Sequence, residues 1–103
     1  MANVKNKINK LVPIYADFDR ESDVLYVSLN PPLPATSIAL PKGLVFRYAI
    51  MDHLPCGVTV IGFKQYFWNS NTNELAIIIA GHMNADRTEV LNSINRAIAT
   101  SSE

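Results

Sequence analysis

The sequence predicts an α+β fold, an antiparallel β-meander of four to five strands followed by two C-terminal helices packed on one face of the sheet. Through most of residues 12–67, apolar residues recur at every second position, which is the period of a half-buried strand. In residues 71–99 they recur every three or four positions, which is the period of an amphipathic helix. Because strand segments come first and helical segments follow, the order favours α+β over alternating βαβ units.

The chain is long enough for one domain. It has 103 residues, and single domains commonly contain about 50–250. We predict a flexible, basic N-terminal arm over residues 1–11 and a single α+β domain over residues 12–103. Within that domain, the sheet is expected over residues 12–67 and the helical pair over residues 71–99.

The first two predicted strands flank a polar, largely acidic loop at residues 19–23. Apolar and polar residues alternate in segment 12–18, and they do so most clearly in segment 24–29. Three prolines between residues 31 and 34 then end the second strand, because proline cannot donate a hydrogen bond to a sheet.

Three further segments have strand character, at residues 37–40, 44–50 and 58–66. Gly62 lies inside the last of them and predicts a bulge or a close approach of two backbones. The connections between the strand segments are short. The simplest pairing therefore joins neighbours in the sequence into an antiparallel meander.

The first of the two helices is predicted from Leu75, Ile78, Ile79 and His82, which share the spacing of one helical face. The three consecutive isoleucines at 77–79 also suit a strand that follows a turn. Continuation of the helical pattern through His82 favours the helix.

The second helix is predicted to begin at Asp86, because Asp86 and Glu89 have the spacing of a capping box. Five of its apolar residues form one stripe: Val90, Leu91, Ile94, Ala97 and Ile98. Such a stripe indicates a helix that packs by one face against the rest of the domain.

A signature of tyrosine, acidic and apolar residues runs through the predicted sheet. It comprises Tyr15, Asp17, Asp19, Glu21, Asp23, Leu25, Tyr26, Val27 and Leu29, then Gly43, Leu44, Val45, Tyr48, Cys56, Gly57, Val58 and Val60. On these residues, segment 14–63 resembles the domain of unknown function 2283 family, a group of small bacterial proteins. The sequence departs from that pattern by Ala16 and by a longer hairpin at residues 49–55. The resemblance implies a small β-sheet domain of unassigned function, so no catalytic residue is carried over from it, and it suggests small toxin-like proteins as partners.

The composition indicates that part of the apolar surface meets another subunit. Hydrophobic residues make up 49% of the chain and charged residues 17%, whereas charged residues average about 25% in soluble domains. A domain this small has little interior, so we predict a self-associating interaction module, most simply a homodimer, that can also take a protein partner. Tyr66, Phe67 and Trp68 follow the last strand and are expected to cover the sheet or to meet a second subunit.

The sequence predicts a cytoplasmic protein. Cys56 is the single cysteine, which rules out an internal disulfide and suits a reducing compartment. Residues 1–10 carry charge without the apolar segment of a secretory signal. The longest apolar run, residues 75–81, is too short to cross a membrane, so no membrane partner is expected.

No catalytic or cofactor-binding motif is found, and we predict a protein that is not an enzyme and holds neither cofactor nor metal. Four acidic residues stand at alternate positions, as ligands do in a calcium loop: Asp17, Asp19, Glu21 and Asp23. Ser22 and Ser28 stand where such a loop requires Gly and Glu, so turn-forming carboxylates are the better interpretation. His53, Cys56 and His82 supply at most three zinc ligands, without an evident fourth.

The alternative function is that of a DNA-binding, antitoxin-like regulator. Ala80, Asn84 and Val90 have the spacing of a helix-turn-helix, although an ordinary helical hairpin gives the same spacing. The second helix would then present three residues to a DNA groove: Arg87, Thr88 and Asn92. Against this, nine basic residues are balanced by nine acidic ones, and acidic residues beside these helices would repel phosphates.

Overall fold

The computed structural model describes residues 13–101, which form a five-stranded antiparallel sheet followed by two helices. The strands are β1 (Ile14–Asp19), β2 (Val24–Leu29), β3 (Ala35–Ala39), β4 (Leu44–Ala49) and β5 (Pro55–Ile61), and the helices are α1 (Thr72–Met83) and α2 (Arg87–Thr100). Single 3-10 turns occupy Pro41–Gly43 and Trp68–Ser70. The predicted fold class is confirmed, and the predicted arm at residues 1–11 lies outside the described residues.

The strands stand in the order β1-β2-β5-β4-β3, and every neighbouring pair is antiparallel. The order departs from a sequential meander at one point, because β2 pairs with β5 and β3 lies at the far edge. The connection over residues 30–34 leads from β2 to β3, which is three positions away in the sheet. The Ile50 N–H donates to the Pro34 carbonyl at 3.0 Å, and the Asn30 N–H donates to the Pro13 carbonyl at 3.1 Å. These bonds fix a segment whose prolines prevent it from pairing as a strand.

One face of the sheet carries the core. Alternation along the strands places Leu25, Val27, Val58 and Val60 on this face, where all four are buried. The two helices cover the face with buried residues of their own: Leu75, Ala76, Ile79, Ala80, Met83, Val90, Ile94 and Ala97. Helix α1 packs mainly on β5 and α2 on β1. The helical layer is therefore displaced towards β1, and residues 13–101 leave the β3 side of the same face largely uncovered.

The segment with three consecutive isoleucines is helical, as predicted, and not a strand. Along α1, Ile77 is half exposed, Ile78 is half-buried and Ile79 is buried, which is the rotation of about 100° per residue expected of a helix. Helix α1 ends at Asn84, which adopts a left-handed conformation while its N–H donates to the Ala80 carbonyl. The predicted cap of α2 is confirmed, since the Asp86 carboxylate accepts the Glu89 N–H at 2.9 Å.

The fifth strand ends at Ile61, five residues earlier than predicted, and the chain turns at Gly62 with φ of 78°. Asp23, in the β1–β2 turn, is the cause. Its carbonyl accepts the N–H groups of Gly62 and Phe63, both at 3.0 Å. Its carboxylate accepts those of Lys64 at 2.9 Å and Gln65 at 3.2 Å. Four consecutive N–H groups converge on one residue, so the strand cannot continue past Ile61.

Candidate functional site

Strand β3 is an edge of the sheet, and its outward backbone groups can be identified from its hydrogen bonds to β4. The Leu40 N–H donates to the Leu44 carbonyl at 2.8 Å. The bond from the Ile50 N–H to the Pro34 carbonyl continues the same alternation at the other end of the strand. Even-numbered residues of this segment therefore bond to β4. The N–H and C=O groups of the odd-numbered residues point away from the sheet: these are Ala35, Ser37 and Ala39.

The sequence of β3 is without two of the common protections of an edge strand. Its sequence, Ala-Thr-Ser-Ile-Ala, has neither a charge nor a proline between residues 35 and 39. Strand β1, at the opposite edge, carries Asp17 and Asp19, and charged side chains are a common protection of edges. On β3, the Ser37 hydroxyl accepts a hydrogen bond from Arg47 Nη1 at 3.1 Å.

The helix-side face beside β3 is apolar and only partly covered. Ile38 is 54% exposed and Leu40 is 37% exposed. Helix α1 reaches this side through His82, whose ring centroid lies 3.9 Å from that of Phe46 and 5.2 Å from that of Tyr48. Burial lowers the pKa of His82, although hydrogen bonds to the backbone of the adjoining strands act in the opposite direction. The helix-side residues next to the β3 edge, Ile38 and Leu40, are apolar, and among residues 13–101 the one cation in contact with the strand is Arg47 on the opposite face.

Of the three aromatic residues after β5, one is buried against the sheet and two are exposed. Trp68 is 7% exposed, and its indole N–H donates to the Lys42 carbonyl at 3.0 Å, so it covers the end of the sheet. Tyr66 and Phe67 are 42% and 69% exposed. Of the three side chains, Tyr66 and Phe67 are therefore the two that a second molecule could contact.

Two carboxylates of the acidic stretch, those of Asp19 and Asp23, accept hydrogen bonds from backbone N–H groups. Asp19 Oδ1 accepts the N–H groups of Glu21 at 3.1 Å and Ser22 at 3.3 Å, which closes the β1–β2 turn. Asp23 holds the segment after β5, as described above. Within residues 13–101, no three His, Cys, Asp or Glu side chains are placed so that they could hold a metal ion. The turn-forming interpretation thus accounts for both Asp19 and Asp23.

His53, Cys56 and His82 do not form one site. His53 lies exposed in the β4–β5 hairpin with φ of 62°, whereas Cys56 is buried. Burial raises the pKa of the Cys56 thiol, although the nearby Arg47 guanidinium opposes this effect. A thiol of raised pKa is a weak nucleophile at neutral pH.

The helical pair has the turn that the spacing predicts. Ala80 and Val90 are buried, and Asn84 forms the left-handed turn between the helices. The predicted DNA-contacting residues are all exposed on α2: Arg87, Thr88 and Asn92. Asp86 and Glu89 are exposed on the same part of the helix, so the local charge is mixed.

Sequence reasoning missed the β3 edge as a site. The available signal was a charge-free segment between Pro34 and Pro41. That signal does not reveal that β3 is an edge strand, because the sequence does not show that β2 pairs with β5.

Comparison with known proteins identifies no relative. No protein-family model, no curated protein and no solved structure matches this chain. The resemblance to the domain of unknown function 2283 family therefore stays a prediction. Among residues 13–101, no helix is long and apolar enough to cross a membrane.

Proposed function

We propose that this chain is a small cytoplasmic interaction module without catalytic activity, which self-associates as a homodimer through the β3 edge. The observation that carries the proposal is the combination of outward backbone groups and unprotected sequence in Ala35–Ala39. Unpaired N–H and C=O groups at a sheet edge can bond a second strand. A second copy of the chain supplies a strand of identical spacing.

A two-fold axis through Ser37 gives the simplest pairing. Ser37 would lie opposite the partner's Ser37, and Ala35 opposite the partner's Ala39. These are the residues whose backbone groups point outwards, so the pairing forms about six hydrogen bonds. The result is one continuous sheet through both subunits, in which neither copy of β3 is an edge.

The side chains of β3 are compatible with this pairing. Ala35, Ser37 and Ala39 are small, and Ile38 would lie beside the partner's Thr36 on the helix side. The two partly uncovered apolar strips then adjoin across the axis. A net charge of zero means that no overall repulsion opposes association. Because the paired edge is short, we expect a dissociation constant on the order of 1–100 µM.

Sedimentation velocity over a concentration series tests the proposal. We expect the weight-average sedimentation coefficient to rise from that of a monomer to that of a dimer. Ile38→Lys should weaken association by at least about tenfold, because it places a charge at the edge. Ile77→Lys is the matched control, since Ile77 is 52% exposed and lies on α1, away from β3. A monomer at all concentrations, or equal behaviour of the two variants, would contradict the proposal.

A second candidate function is DNA binding by the helical pair. It is supported by the exposure of Arg87, Thr88 and Asn92 on the outer side of a helix that follows a tight turn. Fluorescence anisotropy with a promoter fragment, at low and moderate salt, tests it. Saturable binding that survives moderate salt and is lost in Arg87→Ala would favour a regulator. Binding that random DNA abolishes would remove this candidate.

A further inference from the structure

We infer that a cleft on the open face of the sheet binds a small organic carboxylate that carries a flat ring. The cleft lies on the face opposite the helices and has a volume of about 300 Å³. Its lining comes from four strands and the proline-containing connection: Tyr15, Tyr26, Val27, Ser28, Pro32, Leu33, Arg47, Cys56 and Thr59.

The sheet register brings the polar walls of the cleft together. Tyr15 pairs with Ser28 across β1 and β2, and Tyr26 pairs with Thr59 across β2 and β5. All four side chains belong to the face away from the helices, because the core residues alternate with them along each strand. Two aromatic rings, 44% and 42% exposed, thus stand beside two hydroxyl groups.

The other walls come from an irregularity and from the connection between β2 and β3. Arg47 pairs with Gly57 and Tyr48 with Pro55, so Cys56 is an extra residue in β5 and the local register shifts. On the far side, Pro32 and Leu33 line the cleft. The connection that leads to β3 therefore encloses part of a face that would otherwise be flat.

Charge selects the class of ligand. Among residues 13–101, Arg47 is the one charged side chain that lines the cleft, and no carboxylate of these residues lines it. The Arg47 guanidinium is oriented by its bond from Nη1 to Ser37 Oγ at 3.1 Å. Within residues 13–101, this leaves Nε and Nη2 to donate to a ligand. A carboxylate matches the planar guanidinium with two parallel hydrogen bonds.

Size and shape select the rest of the ligand. A volume of about 300 Å³ is at the lower end for small-molecule sites, which suits one ring and not a dinucleotide. Tyr15, Tyr26 and Leu33 offer flat or apolar surface to a ring. Within the part of the chain that the structure describes, the lining contains one arginine and no lysine, which favours a monoanion over a phosphate ester.

The site is independent of the proposed dimer. The β3 edge would pair through backbone groups in the plane of the sheet, whereas the cleft opens perpendicular to that plane. The two features share only the bond between Arg47 and Ser37. A result that contradicts the β3-edge dimer therefore does not contradict ligand binding in the cleft, and the reverse also holds.

Titration of the ¹⁵N-labelled protein with benzoate tests the inference, with benzamide as a neutral probe of the same shape. We expect saturable chemical-shift changes at the backbone amides of Ser28, Cys56 and Thr59. Benzamide should bind at least about tenfold more weakly, because it cannot form the charged pair with Arg47. Arg47→Gln should reduce benzoate binding to the benzamide level, and Arg47→Lys should give an intermediate affinity.

Two controls separate this site from other effects. Arg87→Gln removes a cation from α2 and should leave benzoate binding unchanged. Titration of Ile38→Lys should give the wild-type affinity even if the protein is then monomeric. Equal shifts with benzoate and benzamide, changes centred elsewhere, or unchanged binding in Arg47→Gln would overturn the inference. If Arg47→Gln fails to fold, the comparison of the two probes on the wild-type protein decides the question.

Discussion

Asp23 connects two parts of the fold that are forty residues apart, and replacing it should destabilise the protein strongly. Its carboxylate accepts the Lys64 N–H at 2.9 Å and the Gln65 N–H at 3.2 Å. Its backbone is left-handed, with φ of 61°, a conformation that Asp and Asn tolerate better than Ala does. Asp23→Ala therefore removes two hydrogen bonds to a charged acceptor and adds backbone strain.

The size of the effect follows from these two contributions. A hydrogen bond to a charged group contributes about 1.5–3 kcal/mol. The low end applies here because both amides are exposed and water can replace the carboxylate, so two bonds give about 3 kcal/mol. Alanine in the left-handed region adds about 1 kcal/mol. We expect a loss of about 4 kcal/mol for Asp23→Ala, about 3 for Asp23→Gly and about 1–2 for Asp23→Asn, which keeps a neutral acceptor.

Urea unfolding followed by tryptophan fluorescence measures these losses. Trp68 is the single tryptophan and is buried just after the segment that Asp23 holds. Protein concentration should be held constant, because self-association would contribute to stability. Glu21→Ala, an exposed residue of the same turn, is the matched control and should change stability by less than about 0.5 kcal/mol. If Asp23→Ala and Glu21→Ala had equal small effects, the assigned role of Asp23 would be wrong.

Two further predictions concern titratable groups. The pKa of His82 is lower in the folded protein than its usual value, so protonation favours unfolding. The melting temperature should therefore be insensitive to His82 above about pH 6.5 and should fall as the pH is lowered from there through the folded pKa. His82→Gln should flatten the pH dependence of the melting temperature in this range, whereas His53→Asn should not. Equal slopes in the wild-type protein and in both variants would show that His82 does not cause the dependence. Burial raises the pKa of Cys56, so the native thiol should react with a disulfide reagent at least about tenfold more slowly than in urea, and equal rates would show that it is not protected.

Local patterns predict the elements of this fold well, because each pattern is determined by neighbours in the sequence. The alternation in β2 and the helical stripe of α2 both place their apolar residues in the core. The isoleucine segment is helical because its pattern continues through His82. Capping by Asp86 likewise needs only residues three positions apart.

Features that depend on distant residues could not be predicted in this way. The end of β5 at Ile61 is determined by Asp23, which lies in another turn. Because β2 pairs with β5, β3 becomes an edge strand, and no local sequence pattern predicts this pairing. The candidate edge and the cleft beside Arg47 both depend on this strand order. Composition therefore leads to a prediction of self-association, but the sequence does not locate the surface.

Disulfide trapping tests the proposed β3 pairing most directly. In a Cys56→Ser background, Ser37→Cys places two cysteines opposite each other across the two-fold axis, about 5.5 Å apart at Cα, which allows a disulfide. Ala39→Cys is the matched control, because its two copies would lie about 14 Å apart along the strands. We expect mild oxidation to convert Ser37→Cys into a covalent dimer while Ala39→Cys stays monomeric. Equal cross-linking of both variants, or of neither, would contradict association through the β3 edge.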